Sequence, residues 1–240
     1  MINYIEKTYK ESKNSFFKEV EKNLLNEKKT FIVTANPETF MMANKIPEFD
    51  EILINENTTV VADGIGIVKS AKFLGINIEE RITGVDISYE LLNYANKYKK
   101  SIYLFGASKY VIDLTVKNIK NMYPDLNILG YSDGYVENKD LVFDDIKKLS
   151  PDIVLVALGV PNQELLIGKH YNDFEKGIFI GVGGTFDVIS GTVKRAPKIF
   201  QKLNIEWLYR IAGDKKRIKR FYNSNVKFIF RIKQMAKENK

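Results

Sequence analysis

The 240-residue sequence contains no cysteine and a single histidine. Without cysteine the chain cannot form disulfides, thiolate nucleophiles or zinc–thiolate sites. No second histidine or thiol is present to form a catalytic dyad or a metal cluster with His170. Because His170 follows a predicted helix from Asn162 to Lys169, we expect a surface position for it rather than a catalytic one.

Long apolar runs are also missing from the chain. No window of about 18 uncharged apolar residues occurs, and the N-terminal stretch from Met1 to Lys7 lacks the apolar core of a signal peptide. At 45% hydrophobic residues, the composition is still ample for one large α/β domain with an appendage. We therefore expect a folded cytosolic protein that can reach a membrane only from its inner face.

Charge is unevenly distributed along the sequence. From Lys194 to Lys240 there are fifteen basic and three acidic residues, which leaves 22 basic and 27 acidic residues in Met1 to Val193. A basic arm on a mildly acidic body indicates an anionic partner. Nucleic acid, a membrane surface and a phosphorylated substrate all fit that description.

Short runs of β-forming residues alternate with amphipathic stretches before this arm. Near-continuous apolar strands joined by helices predict a Rossmann-like, mostly parallel sheet with helices on both faces. The predicted strands are Thr30 to Thr34, Thr58 to Ala62, Ser101 to Phe105, Asn127 to Tyr131, Ile153 to Leu158 and Gly177 to Val182. The predicted helices include Asp86 to Lys99, Ser108 to Tyr123 and Lys139 to Leu149.

Ligands bind such sheets beyond the carboxyl ends of the strands, so the residues found there are candidates for the site. Asp63 follows the second strand and either caps the next helix or acts as a general base. Thr34 ends the first strand and Asn36 comes soon after it, and they either close a turn or bind a ligand.

Two further candidates concern phosphate. Arg81 either pairs with a surface carboxylate such as Glu79 or Glu80, or binds phosphate in a bidentate way. The Gly181 to Gly184 turn either lets the chain enter a helix or presents backbone N–H groups to a diphosphate. The Asp-x-Asp pair that holds a divalent cation in many nucleotide-sugar transferases is absent. If the substrate is a sugar diphosphate, its departing charge must therefore be met by Arg, Lys and backbone N–H groups.

The basic arm has two patterned parts. Arg210, Arg217 and Arg220 share one face if the segment is helical. Further along, Val226, Ile229, Ile232 and Met235 recur at helical spacing among basic residues. That second pattern is typical of a helix packed on the body or of a basic amphipathic helix on an anionic bilayer. With no nucleic-acid motif in the sequence, we favour the membrane surface and expect no nucleic-acid partner.

The order and spacing of these motifs resemble the WecG/TagA/CpsF glycosyltransferases, known as glycosyltransferase family 26, from about Thr30 to Arg220. The motifs that carry the resemblance are Thr34-Ala35-Asn36-Pro37-Glu38, Asp63-Gly64-Ile65-Gly66, Glu80-Arg81 with Gly84-Val85-Asp86, Leu158 to Glu164, Gly181 to Asp187, Gly191 to Pro197 and Glu206-Trp207-Leu208-Tyr209-Arg210. Many members open with a β-hairpin containing Gly or Pro. Ile2 to Ser15 has neither residue, so we expect this edge to be built differently.

The resemblance implies an inverting transfer, without metal or other cofactor, of N-acetylmannosamine or a related hexose from a UDP-sugar to GlcNAc on undecaprenyl diphosphate. Teichoic acid synthesis is the implied pathway. The alternative is the same family with a different donor, UDP-glucose or UDP-N-acetylmannosaminuronic acid, in capsule or exopolysaccharide synthesis. The resemblance also implies that Asp63 is the general base and that Thr34 and Arg81 are catalytic. The implied substrate-binding residues are Asn36, Gln163, Gly183, Gly184, Arg195, Arg210, Arg217 and Arg220.

The resemblance also predicts how the chain is organised and where it works. Residues 1–194 would form the catalytic domain, and residues 195–240 an appendage that binds an anionic membrane and completes the active site. The expected location is peripheral, on the inner face of the cell membrane, with a homo-oligomer, a dimer or trimer, away from it. A Rossmann oxidoreductase is the rival class, but the first strand ends without the glycine triplet of a nicotinamide site.

Overall fold

The computed structural model describes residues 1–194, 196–197, 200 and 222–238. The strands in these residues are β1 (Thr30–Ala35), β2 (Thr58–Ala62), β3 (Ser101–Gly106), β4 (Asn127–Ser132), β5 (Ile153–Ala157) and β6 (Ile178–Gly181). The α-helices are α1 (Ile2–Lys7), α2 (Lys13–Leu25), α3 (Pro37–Ala43), α4 (Pro47–Ile54), α5 (Ile65–Phe73), α6 (Gly84–Lys97), α7 (Lys109–Met122), α8 (Lys139–Leu149), α9 (Asn162–His170), α10 (Thr185–Ile189) and α11 (Lys227–Glu238). A 3₁₀ turn (Tyr171–Asp173) follows α9, and a π-helical turn (Tyr222–Val226) precedes α11.

All six strands pair in parallel, in the order β2-β1-β6-β5-β3-β4. The Rossmann-like prediction is confirmed, and each predicted strand agrees with the structure to within one residue at either end. This accuracy follows from burial, because strands covered on both faces show as nearly unbroken apolar runs in a sequence.

Two apolar layers cover the sheet, and alternate residues of each strand supply them. Along β5, Val154 and Val156 face a layer that contains residues of α1, α3, α4, α5, α8, α9 and α11. Ile153 and Leu155 face the other layer, built with α2, α6, α7 and α10. The period-two alternation of a strand therefore fixes a three-layer architecture with helices on both faces.

The ends of the described chain pack on the first of these layers. Phe228 and Ile232 of α11 are 0% and 2% exposed, and the Phe228 ring lies 6.3 Å from that of Phe40 in α3. At the N-terminus, α1 and α2 stand where a β-hairpin would open the chain, as the missing Gly and Pro led us to expect. In the described residues, no helix has both the length and the apolarity needed to span a bilayer.

The strand order changes direction between β3 and β5. The chain leaves β3 toward β4 on one side and leaves β5 toward β6 on the other. Such a point opens a crevice at the carboxyl edge of the sheet, where ligands of doubly wound proteins bind. Gly106 ends β3 there at a φ of 124°, and a Cβ at this position would collide with the backbone of Ala157.

Candidate active site

The carboxyl ends of β1, β2 and β6 bring the predicted catalytic residues to one edge of the sheet. The N–H of Asp63 donates to the carbonyl oxygen of Ala35 at 2.8 Å, which holds the aspartate at the end of β1. The side chain of Thr34 is buried, and its Oγ1 donates to the carbonyl oxygen of Gly181 at 3.4 Å. Thr34 and Asp63 thus lie on neighbouring strands, with Asp63 partly exposed.

The segment before α6 brings Arg81 to the same edge. The N–H of Ile82 donates to the carbonyl oxygen of Ala62 at 2.9 Å, so the chain at Arg81 runs beside the end of β2. A Cβ at Gly84 would lie 3.5 Å from Oγ1 of Thr34, which places the start of α6 against the threonine. The structure therefore gathers Thr34, Asp63 and Arg81 at the edge formed by β1 and β2. Their catalytic roles stay predictions.

The structure shows whether Asn36 and Asp63 cap the helices that follow them. Asn36 caps α3, because its Oδ1 accepts from the N–H of Thr39 at 3.1 Å in a reciprocal capping box. Asp63 is not the N-cap residue of α5, which is Gly64. Asn36 therefore has a structural function, and the general-base role of Asp63 stays a prediction. Binding of substrate by Asn36 stays a prediction.

Gln163 lies at the centre of a buried hydrogen-bond network at the start of α9. Its Oε1 accepts from the backbone N–H groups of Gly159 and Gly183, each at 3.1 Å. Its Nε2 donates to Oε1 of Glu164 at 2.7 Å. Gln163 is 1% exposed and Glu164 is 0% exposed. One side-chain amide thereby ties the loop after β5 to the loop after β6, and direct binding of substrate by Gln163 stays a prediction.

The carboxyl of Glu164 sits in an environment that disfavours its charge. Burial raises its pKa from 4.5 to about 7, and the hydrogen bond from Gln163 opposes part of that rise. Within the described part of the chain its Oε2 has no hydrogen-bond partner. A Cβ at Gly181 would overlap Nε2 of Gln163 and would lie 2.8 Å from Oε1 of Glu164. The side chains of Gln163 and Glu164 therefore lie directly over the end of β6.

The glycine turn after β6 is only partly free to bind a diphosphate. The N–H of Gly183 already donates to Gln163, and the residue has a φ of 48°. Gly184 is the N-cap of α10, a helix of five residues. So short a helix adds little to the attraction of an anion, since the end charge comes from several aligned turns. The expectation that Gly183 and Gly184 hold phosphate stays a prediction.

A cleft of about 700 Å³ opens at the crevice between β3 and β5. It lies at the same edge of the sheet as the Asp63 region, two strands away from β1. The lining residues come from the ends of β3 and β5, the loop after β4, and helices α8 and α9. They are Ala107, Gly134, Tyr135, Lys139, Asp140, Ala157, Leu158, Asn162, Leu165, Leu166 and Lys169.

The cleft carries a small excess of positive charge. Lys139 and Lys169 contribute two ammonium groups, and Nζ of Lys169 lies 2.7 Å from Oδ1 of Asp140. The hydrogen bond from Lys169 lowers the pKa of Asp140, and the hydrogen bond with His170 lowers it further. Tyr135, at the mouth, is 81% exposed. The cleft therefore combines a small excess of positive charge with an exposed aromatic ring.

We predicted no cleft at this place, and the surface position that we expected for His170 is wrong. The strand ends considered as candidates did not include that of β4, although Asp133-Gly134 follows it as polar and glycine residues follow the others. His170 is 9% exposed, with its ring stacked on Phe143 and Nε2 2.7 Å from Oδ1 of Asp140. The histidine is buried because α8 covers the last turn of α9.

Four predicted substrate-binding arginines, Arg195, Arg210, Arg217 and Arg220, lie outside the described residues. In the residues that are described, no group of three or more Asp, Glu or His side chains is arranged to hold a metal ion. Metal independence stays a prediction.

The geometry places a partly exposed carboxylate at one point of the sheet edge and a cationic cleft at another. A carboxylate at such an edge can accept a proton from a hydroxyl while the neighbouring cleft holds an activated donor. Comparisons with known proteins identify the family of the chain. The model of the family described as "Glycosyl transferase WecG/TagA/CpsF family" matches residues 5–240.

Three curated relatives share the name N-acetylglucosaminyldiphosphoundecaprenol N-acetyl-beta-D-mannosaminyltransferase. The relative from Bacillus spizizenii is 41% identical over 86% of this chain and 80% of its own. The relative from Bacillus subtilis is 42% identical over the same shares. The relative from Staphylococcus aureus strain MW2 is 37% identical over 88% of this chain and 82% of its own.

The fold and these matches define the chain as a glycosyltransferase. It belongs to the WecG/TagA/CpsF family.

Proposed function

We propose that this enzyme transfers N-acetylmannosamine from UDP-N-acetylmannosamine to the GlcNAc of N-acetylglucosaminyl-diphosphoundecaprenol. The acceptor and the transferred sugar are those in the name that the relatives share, and most of the chain aligns with them at 37–42% identity. The observation that carries the proposal is the joint placement of Thr34, Asp63 and Arg81 at the edge formed by β1 and β2.

Asp63 acts as the general base in this proposal. A carboxylate at the sheet edge accepts the proton of the acceptor hydroxyl as that oxygen attacks the anomeric carbon of the donor. The bond from the sugar to the diphosphate breaks on the opposite face, and UDP leaves with the bonding electrons. Thr34 and Arg81 orient the reacting groups around this carboxylate.

The cleft between β3 and β5 is our proposed site for the nucleotide half of the donor. Neighbouring strands lie about 4.8 Å apart, so the three intervals from β2, which Asp63 follows, through β1 and β6 to β5, whose end lines the cleft, span roughly 14 Å. An extended nucleotide-sugar can therefore place its base in the cleft and its sugar near Asp63. Lys139 offers charge to phosphate, while Lys169 shares its charge with Asp140. The exposed ring of Tyr135 offers a face on which uracil can stack.

The departing diphosphate needs more positive charge than two lysines supply. We propose that Arg195, Arg210, Arg217 and Arg220 supply it, with Asn36, Gly183 and Gly184 completing the substrate contacts. Guanidinium groups bind phosphate in a bidentate way, and this would take the place of a divalent metal ion.

Helix α11 is proposed to contact the membrane with the side that does not pack on the body. Phe230 and Ile229 are 70% and 46% exposed, and the side chains of Lys227, Arg231 and Lys233 are exposed with them. Each basic residue near an anionic bilayer contributes about 1 kcal/mol to binding. This surface would hold the enzyme on the inner face of the membrane, beside its lipid-linked acceptor.

The division into a catalytic domain at residues 1–194 and an appendage at 195–240 belongs to the same proposal. A dimer or trimer away from the membrane also stays a prediction.

A donor screen on the full chain tests the function. The protein is incubated with a short-chain polyprenyl-diphosphate GlcNAc and one UDP-sugar at a time, and both UDP release and the mass of the lipid product are read. We expect a product one N-acetylhexosamine heavier with UDP-N-acetylmannosamine. Turnover only with UDP-glucose or UDP-N-acetylmannosaminuronic acid would replace the proposed donor, and no lipid product with any of these donors would overturn the proposal.

A further inference from the structure

Glu164 and Gln163 form a buried pair whose geometry goes beyond what a core contact requires. An amide side chain has one acceptor oxygen and one donor nitrogen, so its two ends are chemically different. The oxygen of Gln163 must face the N–H groups of Gly159 and Gly183, because the nitrogen in that place would point its own hydrogens at two donors. Glu164 supplies the acceptor that the nitrogen then needs at the other end.

The two loops joined by Gln163 serve the two halves of the proposed site. The loop after β5 leads from Leu158 to Asn162, both of which line the cleft. The loop after β6 continues from Gly181, whose carbonyl oxygen accepts from Oγ1 of Thr34. A change in the orientation of one amide would therefore shift the cleft relative to the catalytic edge.

The pair packs closely against the end of β6. Gly181 is the point of closest approach, because a Cβ there would overlap Nε2 of Gln163 and lie 2.8 Å from Oε1 of Glu164. Both side chains are almost completely buried. A donor without an acceptor in such a place is strongly disfavoured, and this gives Glu164 control over the orientation of Gln163.

We propose that Glu164 is a positioning residue of this active site, which fixes the amide of Gln163 so that its oxygen clamps the loops after β5 and β6 in register. Glu164 does not contact substrate in this arrangement. It acts through Gln163 on the relative placement of the nucleotide cleft and of Thr34. The inference rests on the proposed function for its kinetic consequences, whereas its structural consequence stands independently.

Two replacements of Glu164 separate the hydrogen bond from the volume of the side chain. Glu164→Gln keeps an acceptor oxygen for Nε2 of Gln163, and Glu164→Met fills a similar volume without one. We expect kcat of Glu164→Gln to stay within about threefold of wild type. For Glu164→Met we expect a loss of roughly 10- to 100-fold in kcat, the scale of a small misplacement of reacting groups. Glu175→Gln, at an exposed position, is the matched control.

An exchanged pair tests whether the hydrogen bond itself, rather than either side chain, carries the effect on kcat. Gln163→Glu alone places two carboxyl groups at the 2.7 Å contact and should lower kcat. Adding Glu164→Gln restores a donor opposite an acceptor, and the double variant should recover at least tenfold over Gln163→Glu. Gly181→Ala, which pushes on the same contact from β6, should lower kcat as Glu164→Met does.

A readout without substrate keeps this inference separate from the proposed function. In protein labelled with ¹⁵N-glycine, the amide protons of Gly159 and Gly183 should exchange slowly with solvent in wild type and Glu164→Gln. They should exchange at least tenfold faster in Glu164→Met, with the thermal midpoint confirming that this variant is folded. Equal exchange in all three proteins would overturn the inference, as would a loss of kcat in Glu164→Gln as large as that in Glu164→Met. A failed donor screen would leave the exchange result unaffected.

Discussion

Replacing Glu164 by glutamine should change how the stability of the protein depends on pH. The pKa of this carboxyl is raised by burial to about 7, from 4.5 for the group in solvent. Between these two values the folded protein holds a proton that the unfolded chain has released. The free energy of unfolding of the wild type therefore falls as pH rises through this interval.

The size of the effect follows from the shift of the pKa. Each pKa unit corresponds to 1.36 kcal/mol, so a rise of about 2.5 units amounts to roughly 3 kcal/mol. Glu164→Gln carries no titrating group at this position. The stability of the variant relative to wild type should therefore increase by about 3 kcal/mol from pH 4.5 to pH 7, and it should level off above that.

Urea unfolding of both proteins at half-unit steps from pH 4.5 to 8.5 measures this difference directly. Every other titrating group is common to both proteins, so its contribution cancels. Glu175→Gln serves as the control, and because this glutamate is exposed its difference from wild type should stay nearly flat. A flat difference for Glu164→Gln as well, or one that falls with pH, would refute the reasoning that burial governs this carboxyl.

Three more outcomes are expected. Lys139→Met should raise KM for the UDP-sugar by roughly 5- to 30-fold, equivalent to about 1–2 kcal/mol, with little change in kcat. Lys120→Met is the surface control, and an equal KM in the two variants would argue against nucleotide binding in the cleft. Turnover should continue at full rate in EDTA, and a strict requirement for Mn²⁺ would contradict the diphosphate role given to the arginines. Phe230→Ser should weaken cosedimentation with anionic liposomes without lowering the thermal midpoint, whereas Phe228→Ala should cost about 3–5 kcal/mol of stability. If Phe230→Ser cosediments as the wild type does, α11 does not contact the membrane.

The sheet, and the edge of it that holds Thr34, Asp63 and Arg81, were accessible from the sequence because both depend on short-range patterns. Apolar runs marked the strands, polar residues at their ends marked Thr34 and Asp63, and the polar segment before α6 marked Arg81. Parallel strands carry such residues to a common edge, so their convergence needed no knowledge of distances.

The buried pair and the cleft depend on contacts between distant parts of the chain. Gln163 meets Gly183 across twenty positions, and nothing in the local sequence shows that its oxygen faces that N–H. The cleft combines residues from Ala107 to Lys169, and its lysines read as ordinary surface residues of amphipathic helices.

Helix α11 shows why periodicity alone does not select the buried face. The predicted stripe ran through Ile229 and Ile232, and a second stripe runs through Phe228 and Ile232. Phe228 and Ile232 are 0% and 2% exposed and pack on the body, whereas Ile229 is 46% exposed. Both stripes have helical spacing, so only the contacts with α3 and α5 distinguish them.

The most direct test of the account is the turnover of Asp63→Asn with UDP-N-acetylmannosamine and a polyprenyl-diphosphate GlcNAc acceptor. The amide keeps the size of the side chain but is a poor proton acceptor, so kcat should fall roughly 10²- to 10⁴-fold while KM for the donor changes little. Asp113→Asn, a surface replacement of the same chemistry, should retain wild-type turnover. Wild-type turnover in Asp63→Asn would contradict the central claim that this carboxylate is the base for sugar transfer.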